Sequence, residues 1–412
     1  MEEWKEYMLG DICGLIPGFA FKSKDFGIGS NTVIKIKDIK PPYVETQEAD
    51  RVDISNYDLN RLSKFLVNKG EFLLAMTGAT IGKIGKYISD NPAFVNQRVL
   101  KFTDIGKVSY DYLYYYLSTD VFQSYIYNHI DSQSAQPNIS ANTIGKYLIR
   151  IPSIKVQHKI ASVLSSLDDK IEMNRRINDN LEQQAHALFK SWFVDFEPFK
   201  DGEFVESVLG MIPKGWAAKT LDNLCCYISR GLTPKYNESS DEFILGQTCV
   251  RNNIVTLNNA RKHLPKVKNE KWIQQWDVLI NSTGVGSLGR VGVVYFNMDN
   301  VAIDSHITVV RAKSHLLSHY IARNLLSRQS EIENMAVGST GQTELPRDRV
   351  KALPIIMPSR DVLKSFNSII EPMALQMYRN LEENKRLAEL RDTILPRLMS
   401  GELKVNEIEQ SI

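Results

Sequence analysis

The fold of this chain is decided by residues 160–192, IASVLSSLDDKIEMNRRINDNLEQQAHALFKSW, together with a second stretch that starts 206 positions later, residues 366–398, FNSIIEPMALQMYRNLEENKRLAELRDTILPRL. In both stretches the apolar and asparagine residues recur in alternating steps of four and three, which is the spacing of a coiled-coil seam. The offset is half of the 412-residue chain. The two stretches therefore indicate an internal duplication, with one long helix in each half.

Both copies place two asparagines in the middle of the predicted seam, and a central polar layer meets its own duplicate only if the helices run antiparallel. We therefore predict an antiparallel pair with pseudo-twofold symmetry, in which the asparagines fix the register. Solvent-facing asparagines inherited from the duplication are the alternative. The predicted seam consists of Ile160, Leu164, Leu167, Ile171, Asn174, Asn178, Leu181 and Leu188, paired with Phe366, Ile370, Met377, Asn380, Asn384, Leu387 and Ile394.

The duplication extends into the rest of the chain, where residues 70–78 (GEFLLAMTG) match residues 276–284 (WDVLINSTG) at the same offset. Short β-branched and aromatic runs bounded by Gly, Asn and Pro predict strands, and residues 110–128 and 316–335 predict helical pieces. The predicted fold class is α+β: two mixed α/β domains joined by two long antiparallel coiled-coil helices. The predicted boundaries are 1–152 and 201–358 for the domains, and 153–200 and 359–412 for the helices.

The ends of the long helices are predicted from proline positions. The first helix should run from about residue 155 to 193 and stop before Pro198. In the second, Pro372 and Pro396 each remove a backbone donor, at a cost of about 3 kcal/mol inside a helix. We therefore expect a kink or a late start near 372 and an end near 395. Arg391, which lies on the predicted seam, is expected to reach solvent by extending its side chain.

Composition excludes few classes of function. The net charge is +2, so any DNA-binding surface is expected to be local or completed by other subunits. No stretch approaches the roughly 20 apolar residues of a membrane span, and the start lacks the layout of a signal peptide. The four cysteines form no C-x-x-C pair, so they predict neither zinc binding nor a disulfide framework. We expect a cytoplasmic protein without a cofactor or a metal.

Several motifs resemble the specificity (S) subunits of Type I restriction-modification systems. Residues 18–26 (GFAFKSKDF) look like an element of their target recognition domains, and residues 229–234 (SRGLTP) resemble its G-x-T-P form. Residues 152–171, residues 187–196 and the closing 395–403 (LPRLMSGEL) are similar to the conserved helices of the family. The resemblance covers nearly the whole chain in family order. One departure is residues 360–364 (RDVLK), which lack a counterpart of Gln157.

The resemblance implies a non-catalytic DNA-reading subunit. Each target recognition domain would read one part of a split, asymmetric target in double-stranded DNA, and the helix pair would set the spacer between the parts. The same helices would dock two modification (methyltransferase) subunits, to which restriction subunits are added in the full complex. No association with a membrane is expected, because no stretch of the sequence is apolar enough to cross a bilayer.

Motifs for catalysis are incomplete in this sequence. Residues 77–83 (TGATIGK) resemble a phosphate-binding loop but are one residue short and lack its final hydroxyl. Residues 91–94 (NPAF) resemble a methyltransferase tetrapeptide, yet no glycine-rich cofactor loop accompanies them. The seven histidines are scattered, with no H-E-x-x-H motif. We therefore predict that the chain is not an enzyme and has no catalytic residue.

Candidate DNA-binding residues are polar side chains on predicted loops. Basic side chains reach phosphates without reading sequence, whereas side chains with paired donors and acceptors read bases. The candidates for phosphate contact are Lys22, Lys24, Lys35, Lys37, Arg230, Lys235 and Arg251. The candidates for base contact are Arg98, Gln136, Asn138, Arg290, His306 and Gln342. Gln136 and Gln342 match at the common offset, so a structural capping role is favoured for that pair.

Two other functions remain as alternatives. One is a coiled-coil protein–protein adaptor that does not read DNA directly. The other is a self-contained methyltransferase or nuclease, which methyl transfer or cleavage by the purified chain alone would support.

Overall fold

The computed structural model describes residues 4–130, 137–264, 272–338 and 343–405. The chain separates into two compact units, one formed by Met1–Ile171 with Arg386–Ile412 and the other by Glu172–Lys385. Each unit therefore contains one globular half of the chain and a part of both long helices. Within the described residues, no helix is both long enough and apolar enough to cross a bilayer.

The strands and helices of the first globular half are short. The strands are β1 (Lys5–Met8), β2 (Cys13–Pro17), β3 (Phe26–Ile34), β4 (Ile39–Lys40), β5 (Tyr43–Val44), β6 (Asp50–Val52), β7 (Leu66–Val67), β8 (Phe72–Ala75), β9 (Ile84–Lys86), β10 (Ala93–Val95), β11 (Val99–Asp104) and β12 (Leu148–Ile151). The helices are α1 (Leu9–Ile12), α2 (Leu59–Leu62), α3 (Tyr110–Leu117), α4 (Asp120–Asn128) and α5 (Ala141–Gly145). The long helix α6 (Ile154–Phe193) follows.

The second globular half has a similar succession of elements. Its strands are β13 (Phe204–Ser207), β14 (Gly210–Pro213), β15 (Ala217–Thr220), β16 (Cys225–Arg230), β17 (Phe243–Leu245), β18 (Val250–Arg251), β19 (Asn253–Val255), β20 (Arg261–Lys262), β21 (Val278–Asn281), β22 (Val291–Val293), β23 (Val301–Ile303), β24 (Ile307–Ala312) and β25 (Pro354–Met357). Its helices are α7 (Leu221–Leu224), α8 (His315–Ser327), α9 (Gln329–Asn334) and α10 (Arg347–Lys351). The second long helix is α11 (Arg360–Ser400).

The two halves share one sheet topology. The first has a six-stranded sheet in the order β2-β11-β8-β9-β5-β4, and the second repeats it as β16-β24-β21-β22-β19-β18. The single parallel pairing of that sheet recurs at the same place, between β5 and β9 and between β19 and β22. The pairs β1–β12 and β15–β25 also correspond. The predicted duplication and the mixed α/β fold class are therefore confirmed.

Each unit packs its sheet against its own segments of the long helices. In the first unit, Phe102 and Leu113 share a buried cluster with Leu164 of α6 and Leu398 of α11. In the second unit the corresponding cluster joins Val310 and Tyr320 to Phe189 of α6 and Phe366 of α11. Burying a large apolar side chain contributes about 1.5–3 kcal/mol. The long helices are therefore part of both cores rather than appendages to them.

Contacts within the second unit show that α6 and α11 run antiparallel. Asn174 donates from Nδ2 to Asn384 Oδ1 at 2.9 Å, and Asn380 donates from Nδ2 to Asn178 Oδ1 at 2.8 Å. Four residues forward on one helix thus correspond to four residues backward on the other. Asn178 also donates to the Met377 carbonyl at 3.1 Å, so this polar layer is hydrogen-bonded across the helix pair.

The side chains of the predicted seam are all buried or half-buried. Towards the end of α6 the buried stripe follows steps of four residues, through Ala185, Phe189 and Phe193, while Leu188 is half-buried. A helix with 3.6 residues per turn drifts from a strict heptad repeat, which explains why the most buried positions depart from it.

The expected ends of the second long helix are wrong. Helix α11 begins at Arg360, passes through Pro372 and Pro396, and ends at Ser400. Both prolines are exposed, and so is Ser368. Pro372 has no amide hydrogen to donate to the Ser368 carbonyl, which can bind water instead. Burial of Phe366, with other residues of the stripe, compensates for the missing bond.

Three further expectations need correction. The predicted helical piece 110–128 is divided at Thr119, whose backbone is extended, and the piece 316–335 is divided at Arg328. Arg391 does not extend into solvent. Its Nη1 lies 2.7 Å from Asp168 Oδ1, and the side chain is only 19% exposed. Asp168 also accepts from the Tyr115 hydroxyl at 2.7 Å. Since both charges are largely removed from water, each satisfies the other.

Candidate nucleic-acid interface

Two of the predicted base contacts of the first half lie around the end of strand β8. The Met76 amide donates to the Arg98 carbonyl at 3.0 Å, and Thr77 pairs with Asn138 in an isolated antiparallel bridge. The Gly78 amide donates to the Pro137 carbonyl at 3.0 Å. We call residues 77–83, 96–98 and 137–138 the first loop cluster. The side chains of Arg98 and Asn138 are exposed there.

The second half repeats this arrangement at the end of strand β21. The Ser282 amide donates to the His306 carbonyl at 2.8 Å, and Thr283 pairs with Glu344 in the equivalent bridge. The His306 ring, at Nδ1, lies 2.8 Å from the Thr283 hydroxyl. We call residues 283–290, 304–306 and 343–345 the second loop cluster. His306 therefore occupies the place of Arg98, and Glu344 the place of Asn138.

Beside each loop cluster, a glycine packs closely against the backbone of a neighbouring segment. A Cβ on Gly18 would lie 2.2 Å from the Asn96 carbonyl oxygen, and one on Gly231 would lie 2.0 Å from that of Ile303. Next to these glycines, Phe19 pairs with Asn96 and Leu232 with Asp304, both in parallel bridges. Only glycine allows this approach. The two motifs that resembled each other in sequence thus hold the same loop in both halves.

Two arginines donate hydrogen bonds to backbone carbonyls of the second loop cluster. Arg230 forms an ion pair with Glu344 at 2.7 Å and donates to the Leu345 carbonyl at 2.7 Å. Arg290 donates to the carbonyl of Gly286 within its own loop at 2.6 Å. Arg230 and Arg290 were predicted to contact DNA, and in the structure both hold this cluster together.

Lys35 and Lys37 share one carboxylate. Both form ion pairs with Asp50, and the Lys37 Nζ–Asp50 Oδ1 distance is 2.9 Å. Hydrogen bonds from Lys35 and then Lys37 lower the pKa of Asp50. Lys35 also lies over the Phe26 ring, 3.9 Å from its centroid. The positive charge that these two lysines offer to a phosphate is therefore partly neutralised by Asp50.

The remaining predicted phosphate contacts lie on other segments. Lys22 and Lys24 are exposed at a 3₁₀ turn, where the Lys22 amide donates to the Tyr57 hydroxyl at 3.0 Å. Lys235 is exposed beside the segment of His263 and Leu264. Arg251 is exposed on β18, at the edge of its sheet. Gln136 and Gln342 lie outside the described residues.

Three polar residues in or beside the loop clusters were not predicted from the sequence to be functional. The Ala75 amide donates to the Lys83 carbonyl and the Asn281 amide to the Arg290 carbonyl, both at 2.9 Å, so Lys83 occupies the place of Arg290. Gln247 donates to the Thr283 hydroxyl at 2.7 Å. Lys83 is shifted by one residue from the common offset, which concealed it. Gln247 and Thr283 carry no signal in the sequence beyond their polarity.

Comparison with known proteins gives the family. The model of the Type I restriction modification DNA specificity domain matches residues 1–183 and 213–371, which together are most of the chain. The chain belongs to this family. Membership gives it the role named in the family's description, DNA specificity in a Type I restriction-modification system.

Relatives match this family member over nearly its whole length. It is 29% identical to the MjaIX specificity subunit of Methanocaldococcus jannaschii, covering 99% of this chain and 95% of that one. It is 26% identical to the HindI specificity subunit of Haemophilus influenzae, covering 98% and 100%. The fold is similar to the crystal structure of a Type I S subunit from M. genitalium, with a TM-score of 0.56, 16% identity and 96% of each chain covered.

Proposed function

We propose that each globular half reads one part of a bipartite, asymmetric target in double-stranded DNA. The observation that carries the proposal is the pair of loop clusters. They have the same backbone hydrogen bonds, but the equivalent side chains differ: Arg98 against His306, Asn138 against Glu344. One scaffold with different donors and acceptors is suited to two different base sequences. In this proposal the target recognition domains are residues 1–152 and 201–358.

The long helices, within residues 153–200 and 359–412, set the spacer in this proposal. A helix rises 1.5 Å per residue, so a paired rod of fixed register is a ruler for the distance between two reading surfaces. The Asn174–Asn384 and Asn178–Asn380 hydrogen bonds support a fixed register within the second unit. A slip by one heptad would bury asparagine against apolar side chains and leave these groups unpaired.

The same helices serve as the docking surface for two modification (methyltransferase) subunits, to which restriction subunits are added. Exposed aliphatic side chains on α6 support this assignment. Met173 is 55% exposed and Ile177, one turn further along the helix, is 38% exposed. Apolar side chains at this spacing on one helix face are typical of a protein-binding surface. The chain itself contributes recognition and no catalytic group.

Selection from a pool of random duplexes tests the proposal. The full-length chain with its modification subunits should retain duplexes that share two short motifs at a constant separation. Methyl transfer should require the modification subunits. Recovery of one contiguous motif would contradict the bipartite target. Assembly without any DNA footprint would instead favour the protein–protein adaptor.

A further inference from the structure

Three potential metal ligands meet where α8 packs against α11. His315 and His319 are one turn apart on α8, and Glu371 lies on α11. Each offers one ligand atom, and these atoms all lie within 4.8 Å of one another. His315 Nε2 and Glu371 Oε1 are 3.4 Å apart, which is about the separation of two ligands on a tetrahedral zinc ion with bonds of about 2.1 Å. All three residues belong to the second unit.

The buried histidine of this group is not explained by the protein around it. His319 is 4% exposed, and its Nε2 atom has no hydrogen-bond partner among the described residues. Buried polar atoms are nearly always satisfied, so an orphaned imidazole nitrogen indicates a missing partner. The contact between His315 and Glu371 does not supply one. One turn before Glu371 on α11, Asn367 Oδ1 is buried and also lacks a partner among the described residues.

The surroundings of His319 suit a ligand. The Trp276 ring contacts His319 edge-on at a centroid distance of 4.7 Å and limits the rotation of the imidazole. His315 is exposed, so the cluster opens to solvent on one side.

We propose that His315, His319 and Glu371 bind a divalent transition-metal ion of the zinc type. Two imidazoles and one carboxylate are a common three-residue donor set for zinc, with a fourth position left for solvent. The ion would join α8 of the second globular half to α11. It would thereby fix that half on the helix that carries the polar layer.

The site belongs to the second half alone. Counted from the serine that precedes each helix, Ser109 before α3 and Ser314 before α8, the places of His315 and His319 are taken by Tyr110 and Tyr114. The residue 206 positions before Glu371 is Ser165. Because the first half has the same scaffold without these ligands, the cluster is not a requirement of the shared fold.

Zinc titration of the full-length, untagged chain after treatment with a chelator tests the proposal. The wild type should bind zinc, and Glu371→Gln, which keeps the size of the side chain, should lose one equivalent or bind it at least about 10-fold more weakly. His315→Ala, at an exposed position, should do the same. His186→Ala removes an exposed histidine of α6 outside the cluster and should leave the stoichiometry unchanged.

Two readouts separate loss of the site from loss of the fold. Circular dichroism of each metal-free variant should match that of the wild type, and zinc should raise the unfolding midpoint of the wild type and His186→Ala only. Cobalt should give the visible bands of tetrahedral coordination in the same two proteins. No zinc bound at micromolar concentration, or equal binding by wild type, Glu371→Gln and His315→Ala, would overturn the proposal.

Discussion

Arg98 and His306 occupy equivalent positions. The carbonyl of each accepts a hydrogen bond from the amide of the residue that follows a central strand of the sheet. The hydrogen bond shared by the two halves uses only the backbone carbonyl, so the side chain at this position can differ between them. The His306 ring contacts the Thr283 hydroxyl. Arginine prefers guanine, whereas histidine offers a single donor or acceptor at each ring nitrogen. A difference in side chain on one shared backbone is therefore where the two half-sites should diverge.

Arg98→Ala should relax base preference at one position of one half-site and leave the other half-site unchanged. His306→Ala should have the converse effect. Loss of a direct base contact costs about 1–3 kcal/mol of discrimination. Binding to libraries randomised at single positions measures this. A uniform loss of affinity in both variants, with unchanged base preferences, would instead assign these side chains to phosphate contact or to the scaffold.

Asp50 limits the charge that the first half can offer to DNA, since Lys35 and Lys37 both pair with it. Asp50→Asn should therefore tighten DNA binding and steepen the dependence of log K on log salt by about one to two units. Asp53→Asn is the matched control, because Asp53 is bonded to Ser55 rather than to a lysine. Equal effects of the two substitutions would show that only the net charge matters.

Among the helices, the bounds of α6 were predicted to within about one residue. A long amphipathic stripe without an interior proline is compatible with only one uninterrupted helix. The same reasoning failed for α11. The cost of Pro372 inside a helix is local. The free energy gained by burying the apolar face of α11 depends on tertiary packing, which the sequence does not show. The division of the piece 110–128 was also missed: the Thr119 backbone is extended and directly precedes α4.

The uninterrupted path of α11 through Pro372 has a direct consequence. Pro372→Ala restores the hydrogen bond to the Ser368 carbonyl without disturbing any buried group, since both residues are exposed. The substitution should stabilise the chain by up to about 3 kcal/mol. Thermal unfolding measures the change. A lower midpoint would mean that the proline is needed for the path of the helix.

The asparagine layer should matter for both stability and register. Asn174→Ala removes the donor to Glu383 Oε2 and Asn384 Oδ1, and it should destabilise the chain by about 1–3 kcal/mol. Asn180→Ala, at an exposed position of the same helix, should change stability by less than about 0.5 kcal/mol.

Replacing all four asparagines of the layer, Asn174, Asn178, Asn380 and Asn384, by leucine separates stability from register. The quadruple variant should recover most of the stability that Asn174→Ala loses, because no asparagine is left opposite an apolar side chain, but it should bind targets of mixed spacing. A single sharp spacing in the quadruple variant would show that the apolar seam alone sets the register.

At the scale of the whole chain, the duplication and the family could be read from the sequence, whereas the loop clusters could not. Lys83 and Arg290 are equivalent by their backbone hydrogen bonds, but they are not related by the common offset of 206 positions. The cluster of His315, His319 and Glu371 was missed because its third member lies on another helix, 52 residues beyond His319. Tertiary contacts, and not local patterns, create such sites.

In the proposed function, the helix pair sets the distance between two independent reading surfaces. Seven residues inserted after Asn178 and seven before Asn380 preserve the pairing of the asparagine layer, because Asn178 stays opposite Asn380. The rods become about 10 Å longer, which corresponds to about three base pairs. An insertion in α6 alone is the control, and it should abolish specific binding because it breaks the register.

The most direct test is target selection by the doubly lengthened chain and by the wild type, each with its modification subunits. Both should recover the same two half-site sequences, separated by about three more base pairs in the lengthened chain. An unchanged spacer combined with altered half-sites would contradict the role of the helix pair as a ruler.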